Sequence, residues 1–190
     1  MTPAVWVPMA SVVVIFTARL RELATKRDTI PGPIKEHWTL RLFVLAGLLM
    51  LASSLTEFLW RSERLRWPTF VAGWMCALVS FVIRWRAIAA LGKFWSLHVE
   101  IREDHQFVRS GPFRWVRHPT YLSMILELVT APLILNAYYS LWVIPLLFLP
   151  VLWMRLRIEE AALVEKFGEE YRRYQQTTPA IIPYKWSRHY

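Results

Sequence analysis

Residues Leu42 to Trp60 read LFVLAGLLMLASSLTEFLW, and this stretch carries one charged side chain, that of Glu57. The remaining side chains are apolar or small. A helix that crosses a bilayer needs about 20 predominantly apolar residues. The stretch is close to that length, and Arg61 and Trp60 at its end can lie in the membrane interface. It therefore predicts a transmembrane helix.

Four further apolar runs lie on either side of this stretch. They extend over Ala4–Ala18, Trp67–Ile83, Tyr121–Leu135 and Leu141–Met154. Each is slightly short for a square crossing, and the Trp, Tyr and Arg side chains beside it lengthen it by lying in the interfaces. The last two runs are separated only by residues 136–140, which predicts a tight helical hairpin. The sequence thus predicts an all-α, polytopic membrane protein with about five transmembrane helices.

The composition agrees with a bilayer protein. Hydrophobic residues make up 55% of the chain, and 11 residues are Trp. A membrane protein needs an apolar outer face as well as an apolar core. The formal net charge is +9 at pH 7, but the basic residues lie mainly between the runs, and no basic helix or aromatic sheet motif favours nucleic acid. The single cysteine, Cys76, allows no intrachain disulfide.

The basic residues predict the orientation of the spans. Lys and Arg are frequent after the first run, in the segment that starts at Arg84, and in the tail that starts at Arg155, whereas the hairpin tip has no charge. Cytoplasmic loops are enriched in Lys and Arg, so these three segments are predicted to be cytoplasmic, with the N-terminus outside and the C-terminus inside. The basic residues that oppose this prediction are Arg61, Arg64 and Arg66.

Two cytoplasmic stretches, 91–119 and 155–190, look soluble. The second is predicted to contain an amphipathic helix, because apolar residues such as Leu163 and Phe167 alternate with charged ones at helical spacing until Pro179. We interpret 1–190 as a single membrane domain. Three N-terminal spans occupy 1–90, and the functional core occupies 91–190, with a cytoplasmic pocket between the 91–119 segment and the C-terminal helix.

The sharpest signal for chemistry is Arg117-His-Pro-Thr-Tyr121, directly before the fourth run. Taken alone, it is typical of an interfacial helix start, with Pro in the first helical turn. Two other blocks accompany it in order. Upstream lies His105-Gln-Phe-Val-Arg-Ser-Gly-Pro-Phe113, and downstream lie Arg155-Leu-Arg-Ile-Glu-Glu160 and Phe167-Gly-Glu-Glu-Tyr171.

This ordered set resembles the isoprenylcysteine carboxyl methyltransferase family. That family shows His-x-Leu-Val-x-x-Gly-x-Tyr, then Arg-His-Pro-x-Tyr-x-Gly, a helical hairpin, an Arg four residues before a Glu pair, and Phe-Gly-x-Glu-Tyr. The resemblance runs from His105 to Pro183, and residues 1–90 share only their hydrophobic character. Phe107 replaces a Leu, Phe113 stands where Tyr is frequent, and Ser123 stands where Gly is usual. Membrane phospholipid methyltransferases and sterol reductases share parts of the pattern.

The resemblance implies S-adenosyl-L-methionine as the cofactor and no metal. The cofactor pocket it implies consists of His98, His105, Gln106, Phe107, Val108, Phe113, His118, Pro119, Thr120 and Tyr121. His98 has an alternative role as an interfacial anchor. The implied catalytic residues are Arg155, which would hold an acceptor carboxylate, Glu159, which would contact the cofactor, and His118, which would be the base if the acceptor were a phenol or an amine. An ordinary surface pair is the alternative for Arg155 and Glu159, since residues four apart are neighbours on a helix.

The implied reaction transfers a methyl group to an oxygen, in the first place a carboxylate, of an isoprenylcysteine-like or other lipidic acceptor at the cytoplasmic interface. A carboxylate is ionised at neutral pH, so catalysis would rest on positioning and charge placement. Other acceptors remain open, namely a phenolic or pyrone lipid and a phospholipid amine. Two other classes also remain open: a sterol-type reductase with a nicotinamide cofactor, and a non-enzymatic membrane protein with a decayed site.

Two carboxylates lie inside apolar runs. A charge at the centre of a span costs about 2.5–3.5 kcal/mol on insertion scales, so Glu57 and Glu127 are predicted to face inward and to be paired. Glu127 lies within two turns of Tyr121 along the fourth run. It is predicted either to line an entrance for the acceptor or to hold helices together.

Overall fold

The computed structural model describes residues 3–29, 38–61, 64–96 and 108–183. Within these ranges the chain folds into helices joined by turns, and no strand occurs, so the predicted all-α class is confirmed. The α-helices are α1 (Pro3–Ala24), α2 (Trp38–Trp60), α3 (Trp67–Leu91), α4 (Pro119–Leu135), α5 (Leu149–Phe167) and α6 (Glu169–Thr177). Single 3-10 turns occur at Gly92–Phe94, Gly111–Arg114 and Tyr139–Trp142, and a π-helical turn at Ile144–Phe148 leads into α5.

Four helical segments are long and apolar enough to cross a membrane. They are Pro3–Ala24, Trp38–Trp60, Trp67–Phe94 and Tyr139–Phe167, and α4 is a shorter apolar helix between them. These five elements correspond to the five predicted runs. Large apolar side chains on α1, α2 and α3, among them Val13, Leu48 and Val82, are exposed, as a lipid-facing surface requires. The chain is an integral membrane protein with several spans.

Helix α4 lies in the middle of the bundle, where it packs on α1, α2 and α3. Its closest neighbour is α3. Small residues at alternating spacings of three and four make up the buried face of α3, interrupted by one arginine: Gly73, Ala77, Ser80, Arg84 and Ala87. Small side chains let two membrane helices approach closely, because no large group separates their backbones.

The close approach of α3 and α4 is most evident at Gly73. A Cβ atom at position 73 would lie 2.6 Å from Ile134 Cγ1 and 3.1 Å from the Thr130 carbonyl oxygen. Ile134 is fully buried, so it cannot move aside cheaply. We expect Gly73→Ala to destabilise the protein by about 1–3 kcal/mol, measured as a lower thermal unfolding midpoint in detergent. The control is Gly47→Ala in α2, where a Cβ would meet nothing within 4 Å. Equal midpoints for the two variants would contradict close packing of α3 on α4.

Several predicted boundaries are wrong. Helix α1 continues past Ala18 to Ala24, and α5 continues past Met154 to Phe167, so that Arg155 lies within the helix. Helix α3 does not end at Ile83 but continues to Leu91, so Arg84 lies within the helix instead of starting a cytoplasmic segment. Arg84 is only 4% exposed, and neighbouring carboxylates make this burial tolerable, as described below. The amphipathic helix predicted up to Pro179 is broken at Gly168, whose φ of 54° ends α5 before α6 begins. Glycine adopts positive φ without steric cost.

The end of the bundle away from the motif residues is held by two buried polar side chains. The Glu57 carboxylate accepts hydrogen bonds from the Tyr139 N–H (3.1 Å), the Ser140 N–H (2.9 Å) and the Ser140 hydroxyl (2.8 Å). Asn136 ends α4 in the left-handed conformation and donates from Nδ2 to the Arg64 carbonyl at 2.7 Å. The predicted pairing of Glu57 is thereby confirmed, and residues 136–140 form the predicted short connection between α4 and the segment that leads into α5.

Candidate active site

A cavity of about 530 Å³ lies at the other end of the bundle. Its wall has two kinds of surface. Helices α1 and α2 contribute apolar side chains, including Phe16, Leu20, Val44 and Leu48, whereas residues 113–121, α5 and α6 contribute polar and aromatic ones. The same cavity is therefore lined by apolar side chains on one side and by polar side chains on the other.

Tyr121 lies at the centre of the polar wall. Its hydroxyl donates to the Glu159 carboxylate and accepts a hydrogen bond from Arg155 Nε at 2.9 Å. Tyr121 thus joins the two α5 residues that are neighbours on one helix face. The α5 pair is not an ordinary surface pair, because Arg155 is only 5% exposed and lines the cavity together with Glu159.

The first turns of α2 hold the Arg155 guanidinium from a second direction. Arg155 Nη1 donates to the Thr39 hydroxyl at 2.8 Å, and Thr39 is fully buried. The guanidinium carbon also lies 5.6 Å from the centre of the Phe43 ring, within the range of a cation–π contact. Three elements, α2, α4 and α5, together fix the direction of this one side chain.

His118 is buried and oriented by a carboxylate. Its ring stacks on Tyr121 with centroids 5.3 Å apart and an interplanar angle of 13°. Its Nε2 lies 3.0 Å from Glu160 Oε1, and its Nδ1 lies 3.8 Å from Glu159 Oε1. Glu160 is itself held by Arg117 at 2.6 Å. Glu160 therefore orients both of its neighbours, Arg117 and His118.

The segment that follows α6 lies alongside the motif and fixes its backbone. The Arg117 N–H donates to the Pro179 carbonyl at 2.9 Å, and the His118 N–H donates to the Ala180 carbonyl at 2.9 Å. The Arg117 guanidinium also donates to the Thr178 carbonyl. The Pro-containing tail therefore supports the motif directly.

The aromatic residues of α6 complete the wall. The Tyr174 hydroxyl donates to the Phe113 carbonyl at 2.6 Å, and both Tyr171 and Tyr174 line the cavity. Burial raises the pKa of Tyr171 and of Tyr174, so both phenols stay protonated at any physiological pH. Tyr171 packs in a buried cluster with Leu163 and also borders the cavity.

The structure brings most of the predicted site residues together. Those that line the cavity are Val108, Phe113, His118, Thr120, Tyr121, Arg155 and Glu159. Pro119 is buried at the start of α4, next to these residues. Four predicted residues, His98, His105, Gln106 and Phe107, lie outside the described residues.

Sequence reasoning missed a second cluster of charges, three of which, Arg19, Arg84 and Glu127, line the cavity. Arg84 Nη2 lies 2.5 Å from Glu127 Oε2, Arg19 Nε lies 3.0 Å from Glu127 Oε1, and both arginines contact Glu22 Oε2, at 3.4 Å and 2.9 Å. This four-charge cluster ties α1, α3 and α4 together. The predicted pairing of Glu127 is confirmed, and Glu127 both lines the cavity and holds helices together.

Thr39 was missed because a lone hydroxyl beside an apolar run has no distinguishing pattern.

Comparison with known proteins identifies related sequences. Residues 71–165 match the sequence model of the isoprenylcysteine carboxyl methyltransferase family. An uncharacterized protein of Bacillus subtilis, YpbQ, is 31% identical over 44% of this chain and 50% of its own. The protein-S-isoprenylcysteine O-methyltransferase of Schizosaccharomyces pombe is 30% identical over 78% of this chain and 67% of its own. The enzyme of the same name from Saccharomyces cerevisiae is 31% identical over 60% of this chain and 48% of its own. The chain thus spans about half to two thirds of these relatives.

Proposed function

The chain belongs to the isoprenylcysteine carboxyl methyltransferase family, and we therefore propose that it transfers a methyl group from S-adenosyl-L-methionine to an oxygen of a lipidic acceptor. The observation that carries this proposal is the Arg155–Tyr121–Glu159 triad in the wall of the cavity. The triad presents a cation and a carboxylate side by side, next to an apolar space. The acceptor class we propose first is a carboxylate, as in an isoprenylcysteine.

The residues present fit S-adenosylmethionine. Cavities that take small ligands measure about 300–1,000 Å³ and combine apolar walls with a few polar groups, and this one is about 530 Å³. Phe113, Tyr171 and Tyr174 offer aromatic faces for an adenine. Glu159 offers a carboxylate for the cationic part of the molecule. When bound, this cofactor supplies an electrophilic methyl group on a positively charged sulfur.

Arg155 is the residue that would bind the acceptor. Its guanidinium can hold a carboxylate through two parallel hydrogen bonds, and Tyr121 and Thr39 set its direction before any acceptor arrives. Such preorganisation means that little rearrangement is needed when the substrate binds. A carboxylate is already ionised at neutral pH, so this acceptor needs no proton acceptor from the protein.

His118 would serve an acceptor that must lose a proton. The Glu160 carboxylate near Nε2 favours a proton on that nitrogen, and Nδ1 would then be the proton acceptor. A base oriented in this way by a third group is typical of enzymes that activate a hydroxyl. A phenolic acceptor is therefore the second candidate, and it uses the same cavity.

The apolar wall would hold the rest of the acceptor. The cavity side chains of α1 and α2 include Leu20 and Leu48, which are also exposed on the outer surface of the bundle. A lipid chain between these helices would bury apolar surface worth about 25 cal/mol per Å². The head group of the acceptor would lie near Arg155, at the interface, while its tail would remain at bilayer depth.

Cofactor binding tests the proposal. We expect the detergent-purified protein to bind S-adenosylmethionine with a micromolar-range Kd in titration calorimetry, and S-adenosylhomocysteine to displace it. A nicotinamide cofactor should produce no heat. It is the cofactor that a sterol-type reductase, the other enzyme class left open by the sequence, would use. Binding of the nicotinamide with no binding of S-adenosylmethionine would support the reductase instead, and binding of neither would favour a decayed site.

The proposed orientation places the site in the cytoplasm. Reporter fusions after Tyr190 and within the hairpin at Tyr138 should report opposite sides, with the former cytoplasmic, because Lys and Arg are concentrated at that end of the chain. The result depends on whether α4 crosses the membrane, because its 17 residues are fewer than those of the other spans. Reporters on one side would mean that α4 and the Tyr139–Phe167 segment form a re-entrant hairpin.

A further inference from the structure

Ser123 stands where the family usually has Gly, and the structure shows what its hydroxyl contacts. Ser123 Oγ donates to the Thr120 carbonyl at 2.6 Å and accepts a hydrogen bond from Arg84 Nε at 3.1 Å. Both Ser123 and Arg84 are almost entirely buried. A buried polar group is costly unless it is hydrogen-bonded, so these two side chains depend on each other.

The same arginine holds the Ser123 backbone through a second serine. Arg84 Nη2 donates to Ser80 Oγ at 2.9 Å, and the Ser80 hydroxyl donates to the Ser123 carbonyl at 2.8 Å. Arg84 is therefore linked to Ser123 in two ways, directly to its hydroxyl and through Ser80 to its backbone carbonyl. Its charge is compensated separately, by Glu127 and Glu22.

The hydrogen bonds of Arg84 and Ser123 reach the first turn of α4, which contains residues 119–121 of the motif. Thr120 and Tyr121 line the cavity, and His118 precedes the helix and stacks on Tyr121. Hydroxyls that bond to a carbonyl three or four residues earlier can bend a helix locally. The Ser123-to-Thr120 bond is of this kind, and Arg84 fixes the direction of the Ser123 hydroxyl because it occupies the oxygen from the other side.

We propose that Arg84 and Ser123 are positioning residues for the cofactor side of the site, acting through the first turn of α4. This inference rests on the proposed function, since it concerns how that turn presents Thr120 and Tyr121 to S-adenosylmethionine. Neither residue would touch the cofactor itself. Arg84 fixes the direction of the Ser123 hydroxyl, and this hydroxyl holds the Thr120 carbonyl. The first turn of α4 thereby keeps the geometry that binds the cofactor.

A double-mutant cycle tests the inference. Ser123→Ala removes the hydroxyl with little change in volume. Arg84→Lys keeps the positive charge for Glu127 and Glu22, but a lysine lacks the guanidinium fork and cannot reproduce the bonds to both serines. Each variant should raise the calorimetric Kd for S-adenosylmethionine by roughly tenfold, the factor expected for one hydrogen bond. The Kd of the double variant should be no higher than that of the single variant with the higher Kd, because both substitutions remove the same hydrogen-bonded link.

Two controls separate positioning from a general loss of stability. Glu22→Gln removes one carboxylate of the four-charge cluster, leaves the Arg19–Glu127 and Arg84–Glu127 pairs in place and does not touch Ser123. It should leave the Kd within about twofold of wild type, well below the loss from one hydrogen bond. A merely structural role would lower the thermal unfolding midpoint in all variants and leave the Kd, measured far below that midpoint, unchanged.

Three results would overturn the inference: Ser123→Ala binding the cofactor as well as wild type, effects of the two substitutions that multiply in the double variant, or a loss in Glu22→Gln equal to that in Ser123→Ala. If Arg84→Lys fails to fold, the Kd of Ser123→Ala decides alone. A wild-type protein that binds neither S-adenosylmethionine nor S-adenosylhomocysteine would overturn the proposed function and, with it, this inference. A wild-type protein that binds, combined with an unaffected Ser123→Ala, would overturn the inference alone.

Discussion

Arg155→Lys is expected to lose most of the turnover and to leave the Kd for S-adenosylmethionine nearly unchanged. A lysine keeps the charge but not the planar fork that holds a carboxylate by two parallel hydrogen bonds. It also cannot copy the simultaneous bonds from Nε to Tyr121 and from Nη1 to Thr39. A charge-assisted hydrogen bond is worth roughly 1.5–3 kcal/mol, so kcat/KM should fall on the order of tenfold to a hundredfold.

The matched control is Arg157→Lys. Arg157 lies two residues further along α5, is exposed, and stacks over the Trp153 ring at 5.1 Å instead of facing the cavity. Its substitution should leave turnover unchanged. Full activity of Arg155→Lys would mean that the acceptor is not a carboxylate, and a phenol or an amine would become the better hypothesis. An equal loss of cofactor affinity and turnover would mean that Arg155 serves the cofactor.

Glu159→Gln is expected to act on the other partner. The substitution keeps the size of the side chain and an oxygen that can accept the Tyr121 hydroxyl, but it removes the negative charge assigned to the cofactor. Loss of a charged hydrogen-bond partner costs roughly 1.5–3 kcal/mol, so the Kd for S-adenosylmethionine should rise on the order of tenfold to a hundredfold. Calorimetry on the purified variant measures this directly.

Glu165→Gln provides the comparison on the same helix. Glu165 is exposed and does not line the cavity, so its substitution should not change the Kd. If Glu159→Gln binds the cofactor like wild type and raises only the KM for the acceptor, the two α5 residues have been assigned to the wrong partners. Arg155 would then belong with the cofactor.

The helices were predictable because their signal is local. Long apolar stretches such as Leu42–Trp60 identify a span without any knowledge of its neighbours. The ends were less predictable, since a charge normally ends an apolar run. Arg84 remains inside α3 because Glu127 and Glu22, far away in sequence, compensate its charge in the folded protein. That compensation depends on helix packing and leaves no trace near residue 84.

The site was predictable where its residues form contiguous motifs. Residues 117–121 and 155–160 lie close to each other in space, as their ordered occurrence suggested. Thr39 and Arg84 could not be predicted as contributors, because each contacts the site through a single side chain from a distant helix. The role proposed for Ser123 also required the structure. As a departure from the family pattern it indicated a difference, but the compensating residue, Arg84, lies on another helix.

We propose that this protein makes a methyl ester on a lipid-borne carboxylate, and a labelling experiment tests this proposal. The detergent-purified chain is incubated with S-adenosylmethionine labelled in the methyl group and with a prenylated cysteine whose carboxyl group is free. The corresponding carboxamide is the control. We predict that label enters the free acid, not the carboxamide, and is released as methanol by mild base, as from an ester. Label that enters neither compound, or that appears in a base-stable product, would contradict the claim.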